Sequence, residues 1–371
     1  MTTVLISGGG IAGSALAYWL HRHGLSPTVL ERAPRPRSGG QAIDIRGVAL
    51  DVMDRMGLLD RARELRTRMR GMSVLDGDGK EIHRSTEGAY SSGRFDSPDI
   101  EVLREDLVRL LSEQAAERAE FIYGDSICAL HEHEQGHAAG IHVDFANGPS
   151  RTFDLVVGAD GLHSGVRRLV FGPEQDFIRH LGTYLSVFSA ENFLDLDNWQ
   201  VWLRDGDTGF GLMPVRDNSE LRIAAGFRSE PLADQDTETM RQRVVAGLAS
   251  LSWEGSRLAK AAAEAPDFFC DAMAQIHMDR WSHGRAALIG DAAHCPSPLS
   301  GQGTSLALVG AYVLAEELGR TPGDHGTAFA RYEERMRPFV ALNQALATEN
   351  PEGPASEESM ARAKNAIALD A

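Results

Sequence analysis

The sequence predicts an α/β protein with about two domains. Its 371 residues are enough to bury a large core. Three short apolar strands each run into a glycine-containing turn and then a helix, around residues 4–23, 155–170 and 286–318. Between the second and third of these units, residues 177–267 contain strands rich in aromatic side chains. We therefore predict one α/β domain that is interleaved with a separate β-sheet domain.

The charge balance and the few cysteines narrow the class of protein. The chain carries 37 basic and 53 acidic residues, a net charge of −16, so it is not expected to bind nucleic acid or anionic membranes. Cys128, Cys270 and Cys295 are odd in number and widely spaced, which argues against a disulfide framework or a zinc site. No signal sequence precedes the first strand, and no apolar run approaches the roughly 20 residues of a membrane span. We expect a soluble, cytoplasmic protein without a bound metal.

The first strand, Val4–Ile6, runs into three glycines at GxGxxG spacing. Gly8 permits the tight turn, Gly10 lets a pyrophosphate approach the backbone, and Gly13 lets the following helix pack against the strand. Glu31 ends the next strand, 18 residues beyond Gly13, where an acid is placed to bind a ribose diol. The complete unit predicts a dinucleotide site but does not distinguish FAD from NAD.

Four arginines cluster after this unit, in a loop and a short predicted strand, Ala42–Ile45. They form either a solvated surface or a cationic rim for a cofactor's phosphates: Arg32, Arg35, Arg37 and Arg46.

The amphipathic pattern of residues 100–118 predicts a helix. Arg104 lies near its start, where a cation gains nothing from the helix dipole. That position suggests either a functional contact for Arg104 or an ordinary solvent-exposed arginine.

Two further turns belong to the α/β domain. The strand Leu155–Val157 ends in Asp160-Gly161, and a helix starts near Ser164, which places amide groups and a carboxylate at a sheet edge where ligands bind. The strand Ala286–Ile289 ends in Gly290-Asp291, and a Pro- and Gly-rich loop then leads to a long apolar helix. The adjacent His294 and Cys295 are not expected to form a nucleophile pair, because sequence neighbours do not usually face each other and no orienting partner is evident.

The aromatic strands of residues 177–267 predict a sheet with one apolar and one wet face. Trp199, Trp202, Phe210 and Met213 are first interpreted as core residues. Because side chains alternate along strands, two of the four could instead line a pocket for an aromatic substrate.

Taken together, the chain resembles the FAD-dependent class A aromatic monooxygenases of the para-hydroxybenzoate hydroxylase fold. The resemblance rests on GGGIAG with Glu31-Arg32, then GADGLHSGVR, then ALIGDAAHCPSPLSGQG, in the family's order and spacing, to about Leu318. The chain is most similar to compact bacterial members such as the tetracycline-degrading monooxygenases. The resemblance implies a glutathione-reductase-type, Rossmann-like FAD-binding domain interleaved with a β-sheet substrate domain, plus a C-terminal helix.

The resemblance also implies domain boundaries. The FAD-binding domain would comprise residues 1–73, 93–176 and 268–321, and the substrate-binding sheet residues 74–92 and 177–267. Residues 322–371 would form a C-terminal helical segment.

The same resemblance implies which residues bind the cofactor. At the adenosine and pyrophosphate end, the implied FAD contacts are Gly8, Gly10, Ile11, Ala12 and Gly13 at the pyrophosphate, Glu31 at the ribose and Arg32 at the adenine side. Further along the cofactor they are Arg104 at the diphosphate or ribityl chain, Asp160 and Gly161 in the motif shared with the nicotinamide, and Gly290 and Asp291 at the ribityl chain. At the flavin they are Pro298, Gly301, Gln302 and Gly303 beside the isoalloxazine ring, and Asp44 nearby. The resemblance implies Gln200 as a substrate contact, and the strand alternation adds Trp202, Phe210 and Met213 as candidate substrate contacts. The chain has Thr304-Ser305 where the family often has Asn, and either residue can cap the following helix.

The implied reaction uses NADPH or NADH to reduce FAD, and O2 to form a flavin C4a-hydroperoxide that hydroxylates an aromatic or polycyclic molecule. No side chain acts as a catalytic residue in this scheme, because the cofactor carries the chemistry. The enzyme would be a monomer or a homodimer. Two alternatives remain: an FAD-dependent reductase or dehydrogenase of the same fold, and an FAD protein that only holds a metabolite.

Overall fold

A computed structural model describes residues 1–36, 39–133, 139–232, 235–350 and 353–370. The strands in these ranges are β1 Thr3–Ser7, β2 Ser26–Glu31, β3 Ala42–Ile45, β4 Gly71–Leu75, β5 Glu81–Ser85, β6 Gly88–Ala89, β7 Gly93–Arg94, β8 Ile100–Leu103, β9 Glu120–Tyr123, β10 Ile127–His133, β11 Gly140–Phe145, β12 Arg151–Phe153, β13 Leu155–Gly158, β14 Ile178–Glu191, β15 Trp199–Asp205, β16 Thr208–Val215, β17 Glu220–Arg228, β18 Phe269–Ile276, β19 Ser282–His283 and β20 Ala286–Leu288. The helices are α1 Ile11–Arg22, α2 Val48–Arg55, α3 Leu59–Glu64, α4 Arg104–Ala116, α5 Gly165–Val170, α6 Thr237–Ala249, α7 Gly255–Glu264, α8 Asp291–His294, α9 Gly303–Arg320, α10 His325–Glu349 and α11 Glu357–Lys364.

The first large sheet has six strands in the order β19-β20-β13-β1-β2-β9. All neighbouring pairs are parallel except β19–β20. The carboxyl ends of β1, β2, β13 and β20 therefore meet at one edge of the sheet, where ligands bind in folds of this kind. The predicted α/β fold is confirmed, and the three glycine-containing turns lie at this edge.

The second large sheet has seven strands in the order β18-β14-β17-β16-β15-β4-β5. Its buried face packs a hydrophobic core that includes residues of α6 and α7. The sequence-based boundary assigned residues 268–276 to the FAD-binding unit, whereas the structure pairs β18 with β14 in this sheet. That pairing joins residues far apart in sequence, so local patterns do not reveal it.

One expected helix is shorter than the sequence pattern suggested. Residues 100–103 form β8, which pairs antiparallel with β3, and α4 begins only at Arg104. Ile100, Val102 and Leu103 are buried. A short apolar run is compatible with either a helix or a buried strand, and here the pairing with β3 makes it a strand.

The C-terminal part of the chain packs on the FAD-binding unit. Asn343 on α10 donates a hydrogen bond to the Ala363 carbonyl on α11 (3.1 Å), and Lys364 forms an ion pair with Asp99 (2.7 Å). Within the described ranges, no helix combines the length and apolarity needed to cross a membrane.

Candidate active site

The glycine turn after β1 leaves an open space above the N-terminus of α1. Gly10 is the N-cap of α1, no side chain caps the helix there, and no acidic residue lies in its first turn. A Cβ at Gly10 would meet nothing within 4 Å, whereas a Cβ at Gly13 would lie 1.8 Å from the Gly8 carbonyl oxygen. Gly13 is therefore needed for packing, and Gly10 keeps the free amide end of the helix open to an anion.

Glu31 is held in place at the end of β2. Its carboxylate accepts hydrogen bonds from the Gly9 amide (2.9 Å) and the Ala33 amide (2.8 Å). A carboxylate has about four acceptor positions, so two remain for a ribose diol. Arg32 and Arg35 beside it are exposed, and Arg37 lies outside the described residues.

The Asp160 carboxylate braces its own turn. It accepts hydrogen bonds from the Ser164 hydroxyl (2.5 Å), the Val166 amide (3.1 Å) and the Ser7 hydroxyl (3.4 Å). The side chain thus connects β1, the turn after β13 and the start of α5. These bonds position the turn at the sheet edge, and the cofactor contact of Asp160 stays a prediction.

Asp291 is the first residue of α8 and follows β20 at the same edge of the sheet. Its side chain is exposed, yet surrounding protein desolvates the carboxyl group and raises its pKa, while Cys295 and the charge of Arg104 oppose that rise. The Asp291 carboxyl group can therefore be reached from solvent, but protein atoms surround much of it. Gly303, at the start of α9, lies close by, since its Cβ would be 3.9 Å from the Asp291 Oδ1 atom.

The loop between α8 and α9 presents an apolar surface and a buried amide. Pro298 and Leu299 are exposed, although Leu299 is a large apolar side chain. Gln302 is fully buried, and neither its Nε2 nor its Oε1 atom has a hydrogen-bond partner. An unsatisfied buried amide costs about 1–3 kcal/mol, so a polar ligand at this position would relieve that cost.

The N-terminus of α9 has no side-chain cap, which corrects the expectation for Thr304 and Ser305. The Ser305 hydroxyl instead accepts a hydrogen bond from the Arg46 amide (3.1 Å) and donates one to the Arg46 carbonyl (3.3 Å). The end of β3 is thereby fixed to α9, and the first amide groups of α9 remain available to a ligand.

A buried charge cluster lies on β3 and β8. Arg46 pairs with Asp44 at 2.8 Å, and Asp44 is the cross-strand neighbour of Glu101. Burial raises the pKa of Asp44 to about 7, although Arg46 opposes the rise, and burial also raises the pKa of Glu101. Arg46 also lies beside the α8–α9 loop, since a Cβ at Gly301 would be 3.7 Å from its guanidinium carbon.

Sequence analysis considered Arg46 only as a member of the arginine cluster and did not select Glu101. The available signal was the period-2 alternation of β3, which places Asp44 and Arg46 on one face. Arg46 is 7% exposed, so it does not belong to a solvated cationic rim.

The predicted substrate contacts fall on two faces of the second sheet. In the β15–β16 pairing, Trp202 is opposite Gly211 and Leu203 is opposite Phe210. Trp202 therefore shares one face with Gln200 and Met213, whereas Phe210 belongs to the core on the helical side. The structure brings Gln200, Trp202 and Met213 together and separates Phe210 from them.

His294 and Cys295 make no contact of the nucleophile type. The His294 ring lies 3.3 Å from the Tyr332 hydroxyl, and the Cys295 thiol donates to the Ala274 carbonyl (3.5 Å). Burial lowers the pKa of His294 to about 3 and raises that of Cys295, so both stay neutral.

Comparison with known proteins identifies the family. Residues 1–344 match the family model described as "FAD binding domain". A flavin-dependent monooxygenase from an unknown prokaryotic organism is 39% identical over 92% of this chain and 88% of its own length. The chain belongs to the family of FAD-dependent monooxygenases. An uncharacterized protein of Mycobacterium tuberculosis is 47% identical over 100% of this chain and 99% of its own length. The crystal structure of the tetracycline destructase Tet(55) matches with a TM-score of 0.87 at 36% identity, covering 99% of this chain and 97% of that chain.

The residues of this FAD-dependent monooxygenase fit its cofactor. The open cradle at Gly10 accepts a pyrophosphate, the free acceptor positions of Glu31 suit a ribose, and the unpartnered Gln302 amide can bond a flavin ring edge. The protein is an enzyme that requires FAD, and NAD(P)H serves as co-substrate in its family.

Proposed function

We propose that this enzyme uses NAD(P)H and O2 to hydroxylate a flat aromatic or polycyclic molecule of the polyketide or antibiotic type. The observation that carries the proposal is a short connection between the α8–α9 loop and the Gln200–Trp202 face. Arg46, which lies beside the loop, donates to the Ser91 carbonyl (3.4 Å), and Gln200 donates to the Ser91 hydroxyl (2.7 Å). A ring on this face would therefore lie beside the loop assigned to the isoalloxazine ring.

The chemistry of the face suits such a substrate. Trp202 supplies a large, partly exposed aromatic surface. Gln200 and Met213 are buried beside it on the same face, where Gln200 fixes the orientation of the indole. The tetracycline destructases that this chain resembles take their name from a polycyclic compound. Their likeness over nearly the whole chain supports a substrate of that size and shape.

The proposed role of the protein is to bind and orient the cofactor and substrate and to exclude water. Bound FAD supplies the activation of O2 and the transfer of one oxygen atom, so no side chain has to act as a nucleophile. We assign FAD to the groove formed by the glycine turn, Glu31, Arg104, Asp291 and the loop at residues 298–303. The uncapped amide groups of α9 would stabilise negative charge on the reduced ring system.

The first test is an absorbance spectrum of the purified enzyme, followed by NADPH and NADH oxidation in air with a panel of phenolic and polycyclic compounds. We expect flavin absorbance, turnover stimulated by at least one compound, and a product heavier by one oxygen atom. Turnover without an oxygenated product would favour the reductase alternative. A colourless protein that FAD cannot reconstitute would refute the proposal.

We further propose that the enzyme acts in the cytoplasm as a monomer or homodimer. Its three cysteines are free thiols, which suits a reducing compartment. Light scattering of the holoenzyme would determine the oligomeric state.

A further inference from the structure

The turn between β6 and β7 is an element that the assigned function does not yet use. The two strands pair only through Gly88 with Arg94 and Ala89 with Gly93, which leaves residues 90–92 as the turn. Ala89 is buried and anchors the hairpin. The turn projects toward the same face of the second sheet that carries Gln200 and Trp202, as its contacts show.

Ser91 ties this turn to both sides of the candidate site. Its hydroxyl accepts from the Gln200 amide at 2.7 Å. Its carbonyl accepts from Arg46 at 3.4 Å. The turn is thus held by the substrate-side sheet and by the charge cluster beside the flavin loop, and its position relative to both is fixed.

Trp202 is a rigid platform below the turn. Its indole nitrogen donates to the Gln200 side-chain oxygen at 2.9 Å, which fixes the ring's orientation. The indole lies against Gly211 on the neighbouring strand, where a Cβ would come within 2.5 Å of the ring. Only glycine at that position lets the indole lie close to the sheet.

Tyr90 lies against the Trp202 ring, and its side chain is freer to move than that of Trp202. The two ring centroids are 5.6 Å apart with an interplanar angle of 64°, an edge-on arrangement. Tyr90 is 51% exposed, which is unusual for a large aromatic side chain. Exposed side chains change rotamer within nanoseconds, so Tyr90 can turn while Trp202 stays in place.

We propose that Tyr90 determines substrate specificity: with Trp202 it forms an aromatic clamp that selects flat aromatic rings at the solvent-exposed edge of the substrate face. This inference rests on the proposed function, because it requires that face to bind the substrate. A flat ring entering the site displaces the Tyr90 edge and stacks between a fixed indole and a movable phenol. Offset-stacked and edge-on aromatic contacts favour such a ligand over a saturated one of the same shape.

The test compares two probes that differ in flatness and aromaticity, 2-naphthol and decahydro-2-naphthol. Their dissociation constants are measured by titration calorimetry on the oxidised holoenzyme without NAD(P)H, so that no chemistry occurs. The variants are Tyr90→Ala, Tyr90→Leu and Tyr90→Phe. Ile82→Ala is the matched control, because Ile82 is a 63% exposed apolar residue on β5 of the same sheet. FAD content and the unfolding temperature verify that each variant is folded.

We expect the wild-type enzyme to prefer 2-naphthol. Tyr90→Ala and Tyr90→Leu should raise its Kd about tenfold without changing that of the saturated alcohol, and Tyr90→Phe and Ile82→Ala should change neither. Equal binding of both probes by the wild type, binding of neither, or an unchanged Kd in Tyr90→Ala would overturn the inference.

The binding experiment separates this inference from the proposed function. Tyr90-dependent binding without any oxygenated product in the turnover assay would refute the function and leave the clamp intact. Oxygenated product together with Tyr90-independent binding would refute the clamp and leave the function intact.

Discussion

The proposed cofactor groove and the proposed substrate face differ in the chemical groups that form them. The groove is formed largely by backbone groups: the glycine turn after β1, the uncapped amides of α1 and α9, and a Glu31 carboxylate held by two main-chain amides. The substrate face is formed by side chains on separate strands that bond to one another, as Trp202, Gln200 and Ser91 do.

This difference determines how each region responds to substitution. A groove formed by backbone groups depends on where a Cβ can fit, so the positions most sensitive to substitution are glycines. Those glycines lie close together in the sequence, so a local pattern reveals them. A side-chain network depends on each partner, so a single exchange changes its shape and charge. The predictions below test the two kinds of construction, from the largest expected effect to the smallest.

The substitution Gly13→Ala should have the largest effect. The new Cβ would lie 1.8 Å from the Gly8 carbonyl oxygen, so α1 cannot pack against the turn. We expect more than about 3 kcal/mol of lost stability, measured by denaturant unfolding, and loss of bound FAD. Gly10→Ala is the control, because its Cβ meets no protein atom within 4 Å. It should fold with wild-type stability and lose only FAD affinity, and an equal loss of stability in both variants would contradict the backbone account.

Removing one partner of the buried ion pair should also be costly. Arg46→Met leaves the Asp44 carboxyl buried without its cation, and breaking such a pair costs about 3–5 kcal/mol. The loss should be larger at pH 9 than at pH 6. Wild-type Asp44, with a pKa of about 7, has lost its proton well before pH 9. Without Arg46 that pKa rises further, so the folded variant still holds a proton that the unfolded chain has released, and only the variant keeps losing stability up to pH 9.

A double variant tests whether the charge causes that loss. Arg46→Met with Asp44→Asn removes the Asp44 charge and leaves only Glu101 in the cluster, so it should recover part of the lost stability and depend less on pH between 6 and 9 than Arg46→Met does. A double variant as unstable as Arg46→Met alone at both pH values would point to lost packing instead.

Asp291→Ala should affect the cofactor and spare the fold. Hydrogen bonds to charged groups contribute about 1.5–3 kcal/mol, so we expect FAD affinity to fall about tenfold to a hundredfold, measured by FAD content after gel filtration. Protein burial raises the Asp291 pKa, which means that its charge opposes folding and the apoenzyme should be no less stable at pH 7. Asp60→Ala, at a fully solvated surface, should keep wild-type FAD content. Full FAD occupancy in Asp291→Ala would count against the assigned groove.

The smallest expected effect concerns a link between the two regions. His163, in the turn after β13, bonds Glu174 at 2.9 Å and Asp271 on β18 at 3.1 Å. These acids raise the pKa of His163 to about 10, so its stabilising contribution is complete below about pH 6.5 and is lost as the pH rises through about 10. His163→Gln should cost about 1 kcal/mol at pH 6, given its half-exposed position, and almost nothing above pH 10. A pH-independent loss would show that packing, rather than charge, forms the link.

Local sequence patterns predicted the elements that carry the groove. The glycine spacing, the strand before it and the acid 18 residues later describe β1, α1 and β2, because each depends on neighbours along the chain. The helix expected at residues 100–118 shows the limit of such patterns. Its first four residues became β8 because a strand some sixty residues earlier, β3, offers them hydrogen bonds.

The same limit applies to the substrate face. Alternation along β15 and β16 indicated that some aromatic residues would share a face, but not which face would be covered by α6 and α7. Phe210 was first interpreted as a core residue and then kept as a candidate substrate contact from the alternation, and the packing of those helices places it in the core. The part that Ser91 plays could not be inferred, since its partners are Arg46, which follows β3, and Gln200 on β15.

The sequence by itself determined the α/β class, the dinucleotide turn and the family, because glycines, caps and strand–helix periods act over a few residues. Only the tertiary structure decided which carboxylates stay accessible to a ligand and which bond to other groups of the protein. Asp291 remains accessible in the groove, whereas Asp160 braces a turn and Asp44 pairs with Arg46. The physical reason is that the free energy of a charged side chain depends on burial and on partners that the chain brings together only when it folds.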